Sequence, residues 1–425
     1  MPAAPSLLIV PYRSKTGKLY SQIPTSGAGD FTVTRNTEAR RFNSAGLIAS
    51  VASGIPRLDY YTSGGTAGCP ALLVEPAATN LCLQSENFLT TWSPTNINVT
   101  TGTTAAFTAP DGTTSADLLT ASASGSARII QSFTFVSGTT YSYSAFAKAG
   151  SGFFGLTMEN GGVASGAAVV WNLNTGALAV SGVVGAGYTL QSQGIENYGN
   201  GWYRCRMTVL LGLGVAGNIR ANTSDGTMTS AIINSASGNT AYIWGAQLET
   251  GSVATSYIPT TAGTASRSAD VISVSGAVSG SIGQTEGTMY VEVETRVTAG
   301  TAAKRILTIS NGNDTGNRIS IGKQADDAFI GSILSGGVAQ AAITSTTNQS
   351  GSFKIALAFA ANDAVLYING TQIGTDTSLG VPSGLNRVDF GQSAANAAQF
   401  NDRIRAAALY TTRLTNAELA TLTTL

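Results

Sequence analysis

The stretch GTMYVEVETRV, residues 287–297, alternates apolar and polar residues without interruption. Met289, Val291 and Val293 fall on one side, and Glu292, Glu294 and Arg296 on the other. A period of two fits a half-buried strand, because successive side chains of a strand point to opposite faces. The rhythm recurs between turn signals along the chain. Residues 126–150 place Ile129, Gln131, Phe133 and Phe135 on one parity, then turn at Gly138-Thr139-Thr140. In WYRCRMTVLL, Trp202, Arg204, Arg206 and Thr208 share one face, and Tyr203, Cys205, Met207 and Val209 take the core face. Asn369-Gly370, inside AVLYINGTQIG, is the strongest hairpin signal. LTNAELATL alone reads as helix, with Thr415 and Glu418 spaced as a capping box. The chain therefore reads as all-β, with antiparallel β-sandwiches and one short C-terminal helix.

Composition agrees with a folded chain. Gly is abundant, at 50 of 425 residues, but the hydrophobic fraction is 43% and the formal net charge is zero. Disorder needs low hydrophobicity with high net charge, so the glycines belong to turns. The length exceeds what one core usually fills, so more than one domain is expected. Residues 1–85 carry a net +3, residues 86–266 a net −2 and residues 267–425 a net −1. None is basic enough for a nucleic-acid footprint. The apolar patch of MPAAPSLLIVPYRS is too short for a signal peptide, and no apolar run approaches the 20 or so residues of a membrane span. Membrane insertion is not expected.

Chemistry is bounded by the absence of histidine. Ser-His-Asp, Cys-His and His-ligated zinc sites are excluded, and carboxylate-pair glycosidase chemistry stays formally open. Cys69, Cys82 and Cys205 are odd in number and form no CxxC, so all three are expected to be reduced and mostly buried. Trp92, Trp171, Trp202 and Trp244 each sit in or beside a strand with apolar neighbours. Core packing is favoured over sugar stacking for each, which leaves glycan-binding residues unknown. Glu292 and Glu294 share a strand face, and Asp326-Asp327 are adjacent in a loop; both read as solvated polar groups. Asn311, Asn313 and Asp314 could offer oxygens to a structural Ca²⁺, but an ordinary polar turn is the favoured reading. No catalytic, cofactor-binding or metal residue is assigned.

Residues 29–48, GDFTVTRNTEARRFNSAGLI, and the turn-punctuated residues 54–92 resemble the N-terminal part of tailed-bacteriophage fibre and appendage proteins. Residues 86–259 resemble the carbohydrate-binding-type jelly rolls of phage fibres, through PDGTTSADLL, GTTYSYSAFAKAG, GNGWYRCRMTV and WGAQLETGSVATSYIPT. Residues 260–270, TTAGTASRSAD, read as a small-residue linker. Residues 271–425 are similar to concanavalin A/laminin G-like domains, through the NG hairpin, the closing strand RIRAAALY and LTNAEL.

These resemblances imply a structural virion appendage, a head or tail fibre, assembled in the host cytoplasm and displayed on the virion surface. Two lectin-like sandwiches would face host-surface or environmental glycans. Residues 1–85 would be a separate attachment and oligomerisation module, docked onto a capsid, portal or tail protein. The resemblance further implies a homo-oligomer, a trimer. On this reading, removing residues 1–85 leaves folded sandwiches that no longer join particles. A dedicated host-polysaccharide receptor-binding protein is the alternative, and a glycan depolymerase is a more distant one.

Overall fold

The computed structural model describes residues 4–160, 165–296 and 302–425. Val297, the last residue of the alternating stretch, and residues 1–3 lie outside them. The fold is all-β, with two antiparallel sandwiches and one short helix, Asn416–Thr423, at the C-terminal end.

The first sandwich faces two six-stranded sheets against each other. One runs in the order Ser93–Thr95, Arg128–Phe135, Val215–Ser224, Phe153–Glu159, Gly166–Asn172 and Ala177–Val184. The other runs Ile97–Thr101, Asp117–Ala121, Thr240–Thr250, Thr139–Ala149, Trp202–Leu211 and Tyr188–Asn197. Strand parity sets the core: Ile129, Phe135, Cys205, Met207 and Val209 point inward, beside Trp92 and Trp171.

The second sandwich is assembled from both ends of the chain. Its eight-stranded sheet carries Glu286–Thr295 between Gly351–Ala360 and Asp402–Tyr410. Met289, Val291 and Val293 enter its core. Asn369 and Gly370 both have positive φ, 49° and 80°, as a tight hairpin turn with right-handed strand twist requires. Thr415 and Glu418 form the capping box, and Leu419 seats the helix on the outer face of this sheet with Tyr290, Tyr367 and Tyr410.

Residues 1–85 do not stand apart as a module. Leu7–Ile9 pairs with Asp402–Tyr410, matching Leu7 to Leu409, and Ala71–Val74 pairs further along the same edge of that strand, opposite Glu286–Thr295. Phe31–Thr34 pairs with Val271–Ser275 in the nine-stranded sheet opposite, matching Val33 to Ile272. Leu7, Ile9, Leu19, Phe31, Val33, Leu72 and Val74 are all core residues of the second sandwich. The physical reason is size. Strands of two to four residues cannot bury a core alone, so they complete a larger one. The first sandwich is thus inserted between the two halves of the second.

The expected linker at residues 260–270 is also ordered. Ala265–Arg267 pairs antiparallel with Ala78–Asn80, so the outgoing and returning chains form a two-stranded ribbon. At its base lies a buried ionic clasp. Asp270 takes Arg35 at 3.0 Å and also pairs with Arg57. Glu75 takes Arg57 at 2.6 Å and Arg267 at 3.4 Å. The backbone N–H of Glu75 donates to the Asp270 carboxylate at 3.0 Å. Ser256 donates its own N–H and hydroxyl to Glu75 at 2.7 and 2.6 Å. Burial alone would raise the Glu75 carboxyl, but Arg57 and Arg267 outweigh it and hold it well below the usual carboxylate range.

Two outcomes are expected. A chain lacking residues 1–85 should lose the second sandwich, seen as loss of one calorimetric transition and rapid proteolysis within residues 271–425. A protease-resistant 271–425 fragment would contradict the shared core. The clasp should also make stability acid-sensitive. Because the folded pKa of Glu75 is depressed, its contribution is complete above the unfolded value of about 4.3. It is lost as pH falls below that value. The urea midpoint should therefore drop between pH 6 and pH 3, and Glu75→Gln should flatten that slope from a lower starting stability.

Candidate functional site

The polar face of Trp202–Leu211 is not solvated: it is turned toward the second sandwich. Trp202 joins Ile48, Phe146, Trp244 and Tyr257 in an aromatic cluster between the sandwiches. Tyr198 stands edge-on to Phe42 at 5.7 Å and to Phe146 at 4.9 Å. Beyond these rings the contact becomes ionic and opens into a cleft of 310 Å³.

Three parts of the chain line the cleft. From the first sandwich, Glu196 lies opposite Arg204 in the strand register, and Gly194 opposite Arg206. A Cβ at Gly194 would stand 2.6 Å from the Arg206 guanidinium. Its absence lets Arg206 lie across the neighbouring strand and reach Glu196 at 3.2 Å. From the second sandwich come Glu294, Arg296, Asp402 and Arg403, and from the N-terminal segment Tyr61 and Ser63.

Arg296 bridges the two sandwiches. It reaches Glu196 at 3.4 Å and Asp402 at 3.0 Å, and its own N–H donates to Asp402 at 3.0 Å. Arg403 reaches Asp59 at 2.8 Å and lies 4.6 Å from the Tyr61 ring centroid. Arg405 pairs with Glu294. Burial alone would raise the Glu196 carboxyl, but Arg296, Arg206, Arg204 and Arg403 together bring it down to about 2. Burial and the Glu196 charge push the Tyr61 phenol up.

The cleft sets its carboxylates beside arginines. Here Glu196, Glu294 and Asp402 are each held by arginine. Arg206, Glu196, Glu294 and Arg296 nevertheless keep 14–20% of their side chains exposed to the cleft. Their alternating donors and acceptors, with Ser63, Asn197 and Ser352 around them, match a hydroxyl-rich ligand.

The residues singled out in the sequence fall elsewhere, with one exception. Glu294 lines the cleft; Glu292 does not. Asp327 pairs with Lys323 at 2.8 Å, and Asp326 accepts the Ala328 N–H. Asn311 and Asn313 accept turn N–H groups, and Asp314 accepts those of Ala394 and Ala395, so their oxygens serve turns. Among the described residues, no three acidic or cysteine side chains gather as a metal site. All four tryptophans are buried. Cys82 and Cys205 are buried free thiols, and Cys69 is exposed, against the expectation for it. Arg206, Arg296 and Glu196 were missed because their partners lie on strands far apart in the sequence.

No protein-family model matches the sequence, and no curated protein matches it. Among solved structures, the chain is similar to Ruminococcus gnavus IT-sialidase CBM40 bound to α2,3-sialyllactose. The identity is 18% and the TM-score 0.29, covering 34% of this chain and 84% of that one. A heptameric SAP-like pentraxin from Limulus polyphemus matches at 13% identity and TM-score 0.26, covering 32% and 69%. The NanB sialidase from Streptococcus pneumoniae matches at 12% identity and TM-score 0.30, covering 35% and 26%.

Proposed function

We propose that this chain is a non-catalytic, glycan-binding component of a tailed-phage virion appendage, holding a host-surface polysaccharide in the cleft between its sandwiches. The observation that carries the binding role is the cleft itself: part-exposed arginines and carboxylates, fixed in place by one another, around a space of about 310 Å³. Such pre-set donors and acceptors bind sugar hydroxyls without ordering new side chains. The virion assignment rests on the fibre-like segments of the sequence, and so does the proposed trimer. With residues 1–85 built into the second sandwich, attachment to a capsid, portal or tail protein would use the outer surface of that sandwich.

A depolymerase is disfavoured by the arginine-locked carboxylates. On a glycan array, the intact protein should retain host-surface polysaccharide. Arg206→Ala, which removes charge-assisted hydrogen bonds, should weaken binding roughly 10- to 100-fold. Retention of no glycan, or binding indifferent to Arg206→Ala, would remove the cleft reading. Release of reducing ends that disappears in Glu196→Gln would establish an enzyme instead. Antibody labelling of whole particles tests the virion assignment separately, and sedimentation tests the trimer.

A further inference from the structure

The cleft does not end at its rim. It continues into a second, wider trough of about 550 Å³. The two meet at Asn197, which lines both, and at one loop of the N-terminal segment, where Ser63 lines the cleft and Gly64 the trough. The junction is fixed in advance. The Asn197 side-chain amide donates to the Gly64 carbonyl at 3.3 Å, and its oxygen accepts the Gly199 N–H at 2.9 Å. A Cβ at Gly65 would stand 2.6 Å from the Gly199 nitrogen, so the two loops meet backbone to backbone.

The trough differs from the cleft in its chemistry. Ser44, Thr66, Asn200 and Tyr203 supply its other polar groups, and among the described residues no charged side chain lines it. Tyr203 is half-buried. It packs against the core of the first sandwich, and a Cβ at Gly176 would stand 2.8 Å from its ring. The ring is therefore held in place before any ligand arrives. A fixed aromatic ring beside hydroxyls and amides suits a sugar, which offers an apolar C–H face and a rim of hydroxyls.

The cleft carries charge but no surplus of either sign. Arg206, Arg296, Arg403 and Arg405 stand against Glu196, Asp402, Asp59 and Glu294, four cations to four anions. A carboxylated, sulfated or phosphorylated sugar would have to break one of these pairs and strand the partner. A neutral sugar displaces nothing, because its hydroxyls can use lone pairs and N–H groups that the pairs leave over. Each space alone is of the size that holds one small ligand, about 300–1,000 Å³. Two such spaces in line suit an extended chain. Taking the cleft as a glycan site, we infer that its ligand is a linear, uncharged polysaccharide whose chain runs from the cleft across Asn197 into the trough, with one sugar ring stacked on Tyr203.

The test uses the whole protein. Neutral gluco-, manno-, galacto- and rhamno-oligosaccharides, from disaccharide to octasaccharide, are titrated by calorimetry beside polygalacturonate and polysialic acid. In the neutral series that binds, affinity should rise roughly 10-fold from disaccharide to octasaccharide, and Tyr203→Ala should remove that gain while leaving the disaccharide unchanged. Should that variant fail to fold, Ala67→Trp, which fills the trough from an exposed residue, should remove the same gain. Binding should be insensitive to sodium chloride, because an uncharged ligand feels no ionic screening, and neither acidic polymer should compete. A flat response to chain length, indifference to both trough variants, or tighter binding of either acidic polymer would overturn the inference. Arg206→Ala separates it from the reading on which it rests. If that variant weakens the disaccharide while chain length has no effect, the cleft stands and its extension falls; if no probe binds, both fall.

Discussion

The buried meeting of Glu75 and Asp270 with Arg35, Arg57 and Arg267 is the contact on which the architecture depends. It sits where the chain leaves one sandwich to build another and where it returns. Glu75 ends an outgoing strand, and Asp270 precedes an incoming one. Removing one partner from such a set strands a buried charge, at a cost of about 3–5 kcal/mol. The clasp therefore acts as a register mark. It fixes which residue of the outgoing chain lies beside which residue of the returning chain.

The cleft follows from that fixed crossing. With the ribbon pinned, one sheet of the first sandwich turns its outer face toward the second. Aromatic rings fill the part nearest the ribbon, and ion pairs occupy the part further out. Arg296 spans the gap, contacting one carboxylate on each side. The site thus belongs to neither sandwich alone, and its geometry is as rigid as the joint between them.

Much of the local structure was legible in the sequence. The alternation at Met289, Val291 and Val293, the Asn369-Gly370 hairpin and the Thr415–Glu418 cap were each written in adjacent residues, and each appears in the fold. The insertion was not legible. It depends on pairings such as Leu7 with Leu409, which no local pattern announces. The same gap hid the site. Parity correctly set Trp202, Arg204 and Arg206 on the outer face of their strand, but parity is silent on what that face meets. Here it meets the N-terminal segment and the second sandwich, in an aromatic and ionic contact.

The shared ownership of the second sandwich has a consequence for how the chain is made. The Ser6 hydroxyl waits for a carbonyl 403 residues further on. At a synthesis rate of about 5–20 residues per second, Leu7–Ile9 waits roughly 20–80 seconds for Asp402–Tyr410. In that interval the inserted sandwich can close around its own core, since its strands all lie in the middle of the chain. Leu7, Ile9 and Phe31 emerge well before the residues they are buried against. The apolar segments on either side of the finished middle are thus the ones most exposed to mispairing with a neighbour while they wait.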